Sequence, residues 1–198
     1  LRLGQQFPKE EKGEKAQDLY LDILNIKKDY KAIRTFAQGL MKSQNPERAV
    51  KLTKIYEQAY FLEIQKLEEK GDVKSALAEY QQFVKANPTS ELAEKAHWNM
   101  MQLHYKTGDG FNGSQASLEF AKRYPKSELA TPALIRAAQT FEQMAQLDHA
   151  AMVLIKLAER DSSSKSKYLE TAADFHALSG QTTAARRLYH DLLASPSD

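Results

Sequence analysis

The chain of 198 residues contains no cysteine, few glycines or prolines and almost no net charge. Without cysteine, disulfides, thiolate-bound zinc and thiol catalysis are excluded. Its 28 basic and 26 acidic residues nearly cancel, which argues against the dense positive surface of nucleic-acid-binding proteins. The longest apolar run, AAMVLI at 150–155, is far shorter than a bilayer span. The composition therefore predicts no nucleic-acid partner and no membrane span, and it leaves open a signal peptide or anchor before Leu1.

One glycine motif bears on cofactor binding. GDGFNG at 108–113 satisfies G-x-G-x-x-G, but a dinucleotide loop needs a buried strand before its first glycine. The preceding residues, 93–107, show helical spacing instead. We therefore predict a structural turn and no cofactor. Because glycine weakens a helix, we also expect a local irregularity near 109–113.

The remaining candidates for chemistry are isolated. No two of the five histidines are spaced i, i+4, and His97 and His104 lie about two helical turns apart, too far to share one zinc ion. We predict structural histidines, no metal site, no catalytic residues and no enzymatic activity. The run DSSSKSKY at 161–168 is interpreted first as a loop and helix cap, with a phosphorylation or flexible binding loop as the alternative.

Helical periodicity extends over most of the chain, which is rich in Ala, Leu, Glu, Gln and Lys. It predicts an all-α protein. Asn45-Pro46 and Asn87-Pro88 are expected to start helices, since Asn caps and Pro fits the first helical position. The predicted helices are 9–26, 28–43, 47–70, 72–86, 90–107, 113–124, 127–145, 147–160, 164–179 and 181–194.

An internal repeat organises these helices. A shift of 37 residues aligns 71–93 with 108–130 without a gap, and nine of 23 positions are identical. In each repeat a small residue lies near the start of the second helix. A large apolar residue follows it seven positions later. The small residues are Ala76, Gly113, Ala150 and Ala185, and the large ones are Phe83, Phe120, Leu157 and Leu192.

This pattern resembles the tetratricopeptide repeat. Its first helix carries a large, two small and an aromatic residue on one face. The resemblance implies a right-handed α-solenoid of stacked antiparallel helix pairs, with a degenerate repeat region at 1–45 and repeats at 46–198 continuous with it in a single domain. The residues that carry it are Leu134, Ala137, Ala138 and Phe141, then Leu169, Ala172, Ala173 and His176, and more loosely His97, Met100, Met101 and His104.

The link between repeats is similar to that of a bacterial envelope subgroup. Tyr124-Pro125-x-Ser127 with Ala130 and Ala133 resembles the outer-membrane assembly lipoproteins and the Tol-Pal-associated periplasmic coordinator. The resemblance implies a location in the periplasm or at the outer membrane.

The first ten residues, LRLGQQFPKE, resemble 118–127 in turn. We therefore expect a longer repeat array before Leu1. In that case Leu1, Leu3 and Phe7 are expected to be partly exposed or disordered here, or covered by another molecule.

The resemblance also implies an interaction surface along the first helices. It suggests a non-enzymatic scaffold that binds a protein or peptide, with a cytoplasmic adaptor, a co-chaperone or an enzyme's accessory subunit as alternatives. Trp98 is expected either to face the groove or to pack against the next first helix. The predicted partner-binding residues are Phe61, Gln65, Trp98, Gln102, Tyr105, Ile135, Gln139 and Glu142. Their rows continue to Glu170 and Asp174, with Glu68 beside them.

Overall fold

The computed structural model of the protein describes residues 11–41 and 46–194. Within these ranges the regular structure is helical, and each predicted helix is present. Asn45 and the first ten residues lie outside the described residues, so the predictions made for them are untested. The helices are α1 (Glu11–Ile26), α2 (Tyr30–Met41), α3 (Pro46–Glu69), α4 (Val73–Ala86), α5 (Ala93–Lys106), α6 (Gly110–Arg123), α7 (Ala130–Gln143), α8 (Leu147–Arg160), α9 (Lys165–Leu178) and α10 (Thr182–Ala194), with a 3₁₀ turn at Ser162–Ser164.

The chain divides into two compact units, Leu1–Ala96 and His97–Asp198. The first contains α1 to α4, and the second contains α6 to α10. The boundary falls within α5, close to its start. The division into a degenerate region at 1–45 and repeats at 46–198 stays a prediction.

Each odd-numbered helix is joined to the next by the same tight turn. After α5, for example, Gly108 N donates to Tyr105 O at 3.1 Å and Asp109 N donates to His104 O at 2.9 Å, the bonding that closes a helix with a left-handed residue. The same turn recurs five times in the described residues, after α1, α3, α5, α7 and α9, so both units consist of helices paired through tight turns, and the predicted all-α class is confirmed. The residues with positive φ are Lys28 (53°), Gly71 (75°), Gly108 (79°), Ala145 (55°) and Gly180 (82°).

The small and large positions of the repeat lie in the core, except for Leu192, which is half-buried. Ala76 and Ala150 are fully buried, Ala185 is 3% exposed, and Phe83 and Phe120 are fully buried. The first-helix pattern behaves in the same way in α7, where all four residues of the predicted packing face are buried. The register deduced from the 37-residue repeat is therefore confirmed.

The link between α4 and α5 corrects one prediction. Asn87 does not start a helix, because its backbone N–H and its side-chain amide both donate to Phe83 O and thereby end α4. The next helix begins only at Ala93. In the segment before it, Ser90 Oγ accepts a hydrogen bond from Leu92 N at 3.2 Å. A side-chain amide can bond to carbonyls as readily as to free N–H groups, so Asn before Pro does not by itself indicate a helix start.

The glycine motif at 108–113 is regular helix from Gly110 onwards, so the expected irregularity is wrong. Packing explains why glycine occurs there. A Cβ at Gly113 would lie 2.9 Å from the ring of Tyr105, and one at Gly110 would lie 2.9 Å from Thr140 Cγ2. Asp109 caps α6 by accepting from Asn112 N. A helix, α5, precedes the motif in place of the strand that a dinucleotide loop requires.

A buried arginine holds α3 against α1 in the first unit. Arg48 is 8% exposed, and its Nη2 donates to Asp18 Oδ1 and to Gln17 Oε1, each at 3.0 Å. Its Nε lies 3.7 Å from Glu14 Oε1. Because an isolated charge is costly to bury, these partners on α1 are needed for Arg48 to occupy this position.

Candidate interaction surface

Helix α7 has one packed side and one open side. Leu134 and Phe141 are buried in the core, whereas Ile135, Gln139 and Glu142 are exposed along the opposite side of the helix. Ile135 exposes 36% of its surface. These three residues were predicted to bind a partner, and the structure places them together on a free surface of the second unit.

Arg136 joins this side of α7 to α5. Its guanidinium carbon lies 3.9 Å from the ring centroid of Tyr105, and its Nη1 donates a hydrogen bond to Gln102 Oε1. An arginine over an aromatic face is attracted by the negative charge of that face. We call this surface the α5–α7 face; it comprises Trp98, Gln102, Tyr105, Ile135, Arg136, Gln139 and Glu142.

Tyr105 is a fixed platform within the α5–α7 face. Its hydroxyl lies 3.0 Å from Ser117 Oγ and 3.3 Å from Ser114 Oγ, and both serines are fully buried. Its ring lies directly against Gly113. With the hydroxyl held from α6 and one ring face covered by Arg136, the side chain has little freedom left to lose when a ligand binds.

Trp98 packs on the second helix of its own pair, and the two predicted alternatives, a groove-facing position and packing against the next first helix, stay predictions. Its ring is half-buried and meets Phe120 edge to face, with centroids 5.6 Å apart and an interplanar angle of 62°. Phe120 belongs to α6, the second helix of the same pair, and not to the next first helix. Trp98 therefore stabilises its own helix pair and offers only part of its surface to a partner.

The predicted residues of the first unit are less available. Phe61 is 3% exposed and lies among Tyr80 and Phe83, so the prediction that it faces a groove is wrong. Gln65 is half-buried. Glu68, beside the predicted rows, accepts a hydrogen bond from the Tyr80 hydroxyl at 2.6 Å. In the first unit, therefore, the aromatic residue of the predicted row, Phe61, is part of the hydrophobic core.

Two of the histidines, His97 and His104, occupy structural positions. His97 is 3% exposed and packs on Phe120 and Tyr124. Burial is the main cause that lowers its pKa to about 4, and the charge of Arg123 contributes. His104 Nδ1 lies 3.0 Å from Asp109 Oδ2, next to the turn. In the ranges that the structure describes, no group of three His, Asp or Glu residues is placed to hold a metal ion.

The serine run forms a capped turn. Asp161 Oδ1 accepts hydrogen bonds from Ser163 N at 3.0 Å and from Ser164 N at 3.3 Å, and these serines form the 3₁₀ turn that leads into α9. The interpretation is confirmed in part: Asp161 caps the 3₁₀ turn, whereas residues 165–168 already belong to α9, whose N-cap Ser164 makes no side-chain capping bond. None of the helices in the described part of the chain is long and apolar enough to cross a membrane.

Sequence reasoning missed Arg136, the residue that organises the α5–α7 face. The groove rows were found by applying the repeat period to one set of positions, and Arg136 lies one residue outside them. A usable signal was present, because Arg136 immediately follows Ile135, a residue of the predicted groove rows. Its stacking on Tyr105, however, joins residues of two helices, which periodicity within one helix cannot predict.

Comparison with known proteins yields structural similarity alone. No protein-family model matches the chain, and no curated protein matches its sequence. The structure of BtubC (BKLC) from P. vanneervenii is 10% identical with a TM-score of 0.41, over 100% of this chain and 85% of that one. MamA 41-end from Desulfovibrio magneticus RS-1 is 14% identical with a TM-score of 0.40, over 83% and 93%.

A third similar structure contains the kinesin light chain TPR-like repeats of Podosopora anserina. It is 11% identical with a TM-score of 0.38, and the match covers 91% of this chain and 92% of that one. Similarities of this size carry no inference about function. The fold class is established by the chain's own repeated turn and by the burial of its repeat positions.

Proposed function

We propose that the protein is a non-enzymatic scaffold that binds a segment of a partner protein on the α5–α7 face. The observation that carries the proposal is the arrangement of Arg136 over Tyr105 with a hydrogen bond to Gln102. Exposed polar side chains usually move freely, and a partner that orders them loses affinity. Here three side chains from two helices are already held in place.

The chemistry of the α5–α7 face suits a polypeptide segment. The Gln139 amide can donate to a backbone carbonyl and accept from a backbone N–H, and Ile135 beside it offers an apolar contact. Arg136 uses one N–H on Gln102 and has further donors for a carbonyl or carboxylate. Such mixed contacts are typical of peptide recognition by a helical surface.

The cellular setting is part of the proposal and is supported by the sequence resemblance alone. The Tyr124-Pro125-x-Ser127 link favours a complex of the bacterial envelope, in the periplasm or at the outer membrane. A cytoplasmic adaptor, a co-chaperone or an accessory subunit of an enzyme is the alternative. The partner proteins recovered with the full-length gene product in its own cells would distinguish these settings.

Peptide selection tests the proposed binding. A displayed library of random peptides is selected against the chain, and the affinities of the recovered peptides are measured for variants. Ile135→Ala and Arg136→Ala should each weaken binding about tenfold, as expected for central contacts of an interface. Met152→Ala and Lys156→Ala are the controls, since both residues are exposed on α8, away from this face.

The same affinity measurements can also contradict the proposal. Peptides whose affinity falls with the α8 substitutions but not with those at Ile135 and Arg136 would place binding elsewhere. Circular dichroism of Arg136→Ala is needed as well, because loss of the contact with Tyr105 could loosen α7. Gln139→Ala, which removes an exposed amide with no such contact, separates binding from folding.

A further inference from the structure

A cavity in the first unit is surrounded by lysines. Its volume is about 420 Å³, and it lies where the turn after α1 and the start of α2 face the last two turns of α3. Consecutive helix pairs supply both walls, so the cavity is internal to the described chain. We call it the lysine cavity, and the lysines that line it are Lys27, Lys28, Lys31, Lys66 and Lys70.

The acidic residues at the lysine cavity do not neutralise its lysines. Two carboxylates line it, those of Asp29 and Glu63. Asp29 caps α2 by accepting a hydrogen bond from Ala32 N at 3.1 Å, and Glu63 is paired with Arg34 at 3.3 Å. None of the ion pairs among the described residues includes a lysine of the cavity. Because the whole chain has a net charge of only +2, this concentration of positive charge is local.

Two of these lysines occupy positions where folding favours another residue. Lys28 has a φ of 53° at the turn position, where three other turns have glycine, and a residue with a Cβ is strained in that region. Lys31 lies in the first turn of α2, where the positive end of the helix dipole favours acidic side chains. Stability therefore does not account for lysine at either position, which favours a role in binding.

Lys66 is held at the cavity by its neighbours. Its Nζ donates a hydrogen bond to Lys28 O at 2.8 Å and lies 5.1 Å from the ring centroid of Tyr30. An ammonium group has three N–H donors, so Lys66 retains donors for a ligand. The other four lysines are exposed, and their long side chains can reach a ligand in the same cavity.

We propose that the lysine cavity binds a soluble anion that carries several phosphate groups. Lysine binds phosphate as a compact point charge, whereas arginine is favoured where a planar carboxylate is held by paired hydrogen bonds. Among the described residues that line the cavity, none is an arginine. The volume is that of a small-molecule site, and a concave site suits a compact ligand better than a flat membrane surface. The proposal is independent of the α5–α7 face, whose residues belong to the second unit.

Calorimetric titration of the 198-residue chain with inorganic tripolyphosphate tests the proposal. Binding should saturate at one ligand per chain and should weaken as salt is added, because exposed charges are screened. Lys28→Gly and Lys31→Gln should each weaken the affinity at least about threefold, since each removes one ammonium group beside the ligand. Both substitutions should leave the thermal midpoint of the free chain unchanged or higher, which separates binding from folding.

Lys51→Gln is the matched control. Lys51 is exposed on α3, about 22 Å along the helix from Lys66, so its loss should leave the affinity unchanged. Equal weakening by Lys51→Gln would overturn the proposal, and so would a parent chain that shows no saturable binding. Hexaglutamate that binds as tightly as tripolyphosphate would overturn it in favour of an acidic peptide. Tighter binding to vesicles that contain phosphatidylinositol phosphates would overturn it in favour of a lipid headgroup.

Discussion

The hydroxyl of Tyr105 lies 3.0 Å from Oγ of Ser117, and the equivalent residues of the preceding repeat are Glu68 and Tyr80. There the Tyr80 hydroxyl donates to the Glu68 carboxylate at 2.6 Å. In the first of these repeats the tyrosine, Tyr80, lies on the second helix and its partner on the first helix is the acidic Glu68. In the next repeat the tyrosine, Tyr105, lies on the first helix and its partner on the second helix is the small Ser117. Each helix pair therefore has one tyrosine ring at this site and one polar contact between its two helices.

Exchanging the partners tests this relationship. Ser117→Tyr alone adds a ring to a filled site and should destabilise by about 1–3 kcal/mol. Tyr105→Glu alone removes a ring that packs on Gly113 and should also destabilise. The double variant restores one ring, so urea unfolding of the four proteins should give a favourable coupling of about 1 kcal/mol or more. Additive effects would show that the two positions are independent.

Two glycines in helices should respond in opposite ways to alanine. Gly39→Ala, in α2, adds a Cβ with no atom within 4 Å and should stabilise by about 0.5–1 kcal/mol through helix propensity. Gly113→Ala has the same propensity gain, but its Cβ would lie 2.9 Å from a Tyr105 ring held by Ser114, Ser117 and Arg136. We expect a lower thermal midpoint for Gly113→Ala, and a higher one would show that Tyr105 can move.

Ala145 has a φ of 55° at the turn position where three other repeats have glycine. A residue with a Cβ is strained in this left-handed region by about 1–2 kcal/mol, which exceeds the entropy cost of glycine in the unfolded chain. Ala145→Gly should therefore raise the free energy of unfolding by about 0.5–1 kcal/mol. The reverse change, Gly108→Ala, should lower it, and denaturant titration measures both.

Close helix crossings should reject larger side chains. Ala138 and Ala173 are 6% and 0% exposed at the small-residue positions of their first helices. Leucine at either site should overpack the crossing and cost about 1–3 kcal/mol. Ala78→Leu on the exposed side of α4 is the control, and its thermal midpoint should stay close to that of the parent protein.

Acid should destabilise the fold through His97. Its pKa is lowered to about 4 in the folded chain, against about 6.5 for an unfolded histidine. The unfolded state therefore takes up a proton first as the pH falls. Stability from neutral His97 is complete above about pH 6.5 and is lost between there and about pH 4, by about 3 kcal/mol in total.

Carboxylates also take up protons as the pH falls, so the contribution of His97 must be separated from theirs. Comparison of the parent chain with His97→Leu does this, because both proteins contain the same carboxylates. Leucine occupies the equivalent position in the two following repeats, as Leu134 and Leu169, so the variant should fold. Its free energy of unfolding should decline less between pH 7 and pH 4 than that of the parent chain. Identical pH profiles would mean that His97 does not titrate differently on folding.

The sequence by itself determined the helices, their pairing and the residues of their packing faces. Local spacing is sufficient for this, because a helix buries whichever side is apolar and a 37-residue period repeats the same crossing. Leu134, Ala137 and Phe141 could be assigned to the core in this way. Gly108 could be assigned to a turn because its position recurs in the repeat.

Only the tertiary structure decided which side chains of the predicted interaction rows are free. Phe61 and Ile135 occupy equivalent positions, yet Phe61 is 3% exposed and Ile135 is 36% exposed. Phe61 is surrounded by the rings of Tyr80 and Phe83 on another helix. Arg136 likewise depends on Tyr105, which lies on a different helix. Exposure at such positions depends on the size of side chains distant in sequence, and the period of a single helix contains no information about them.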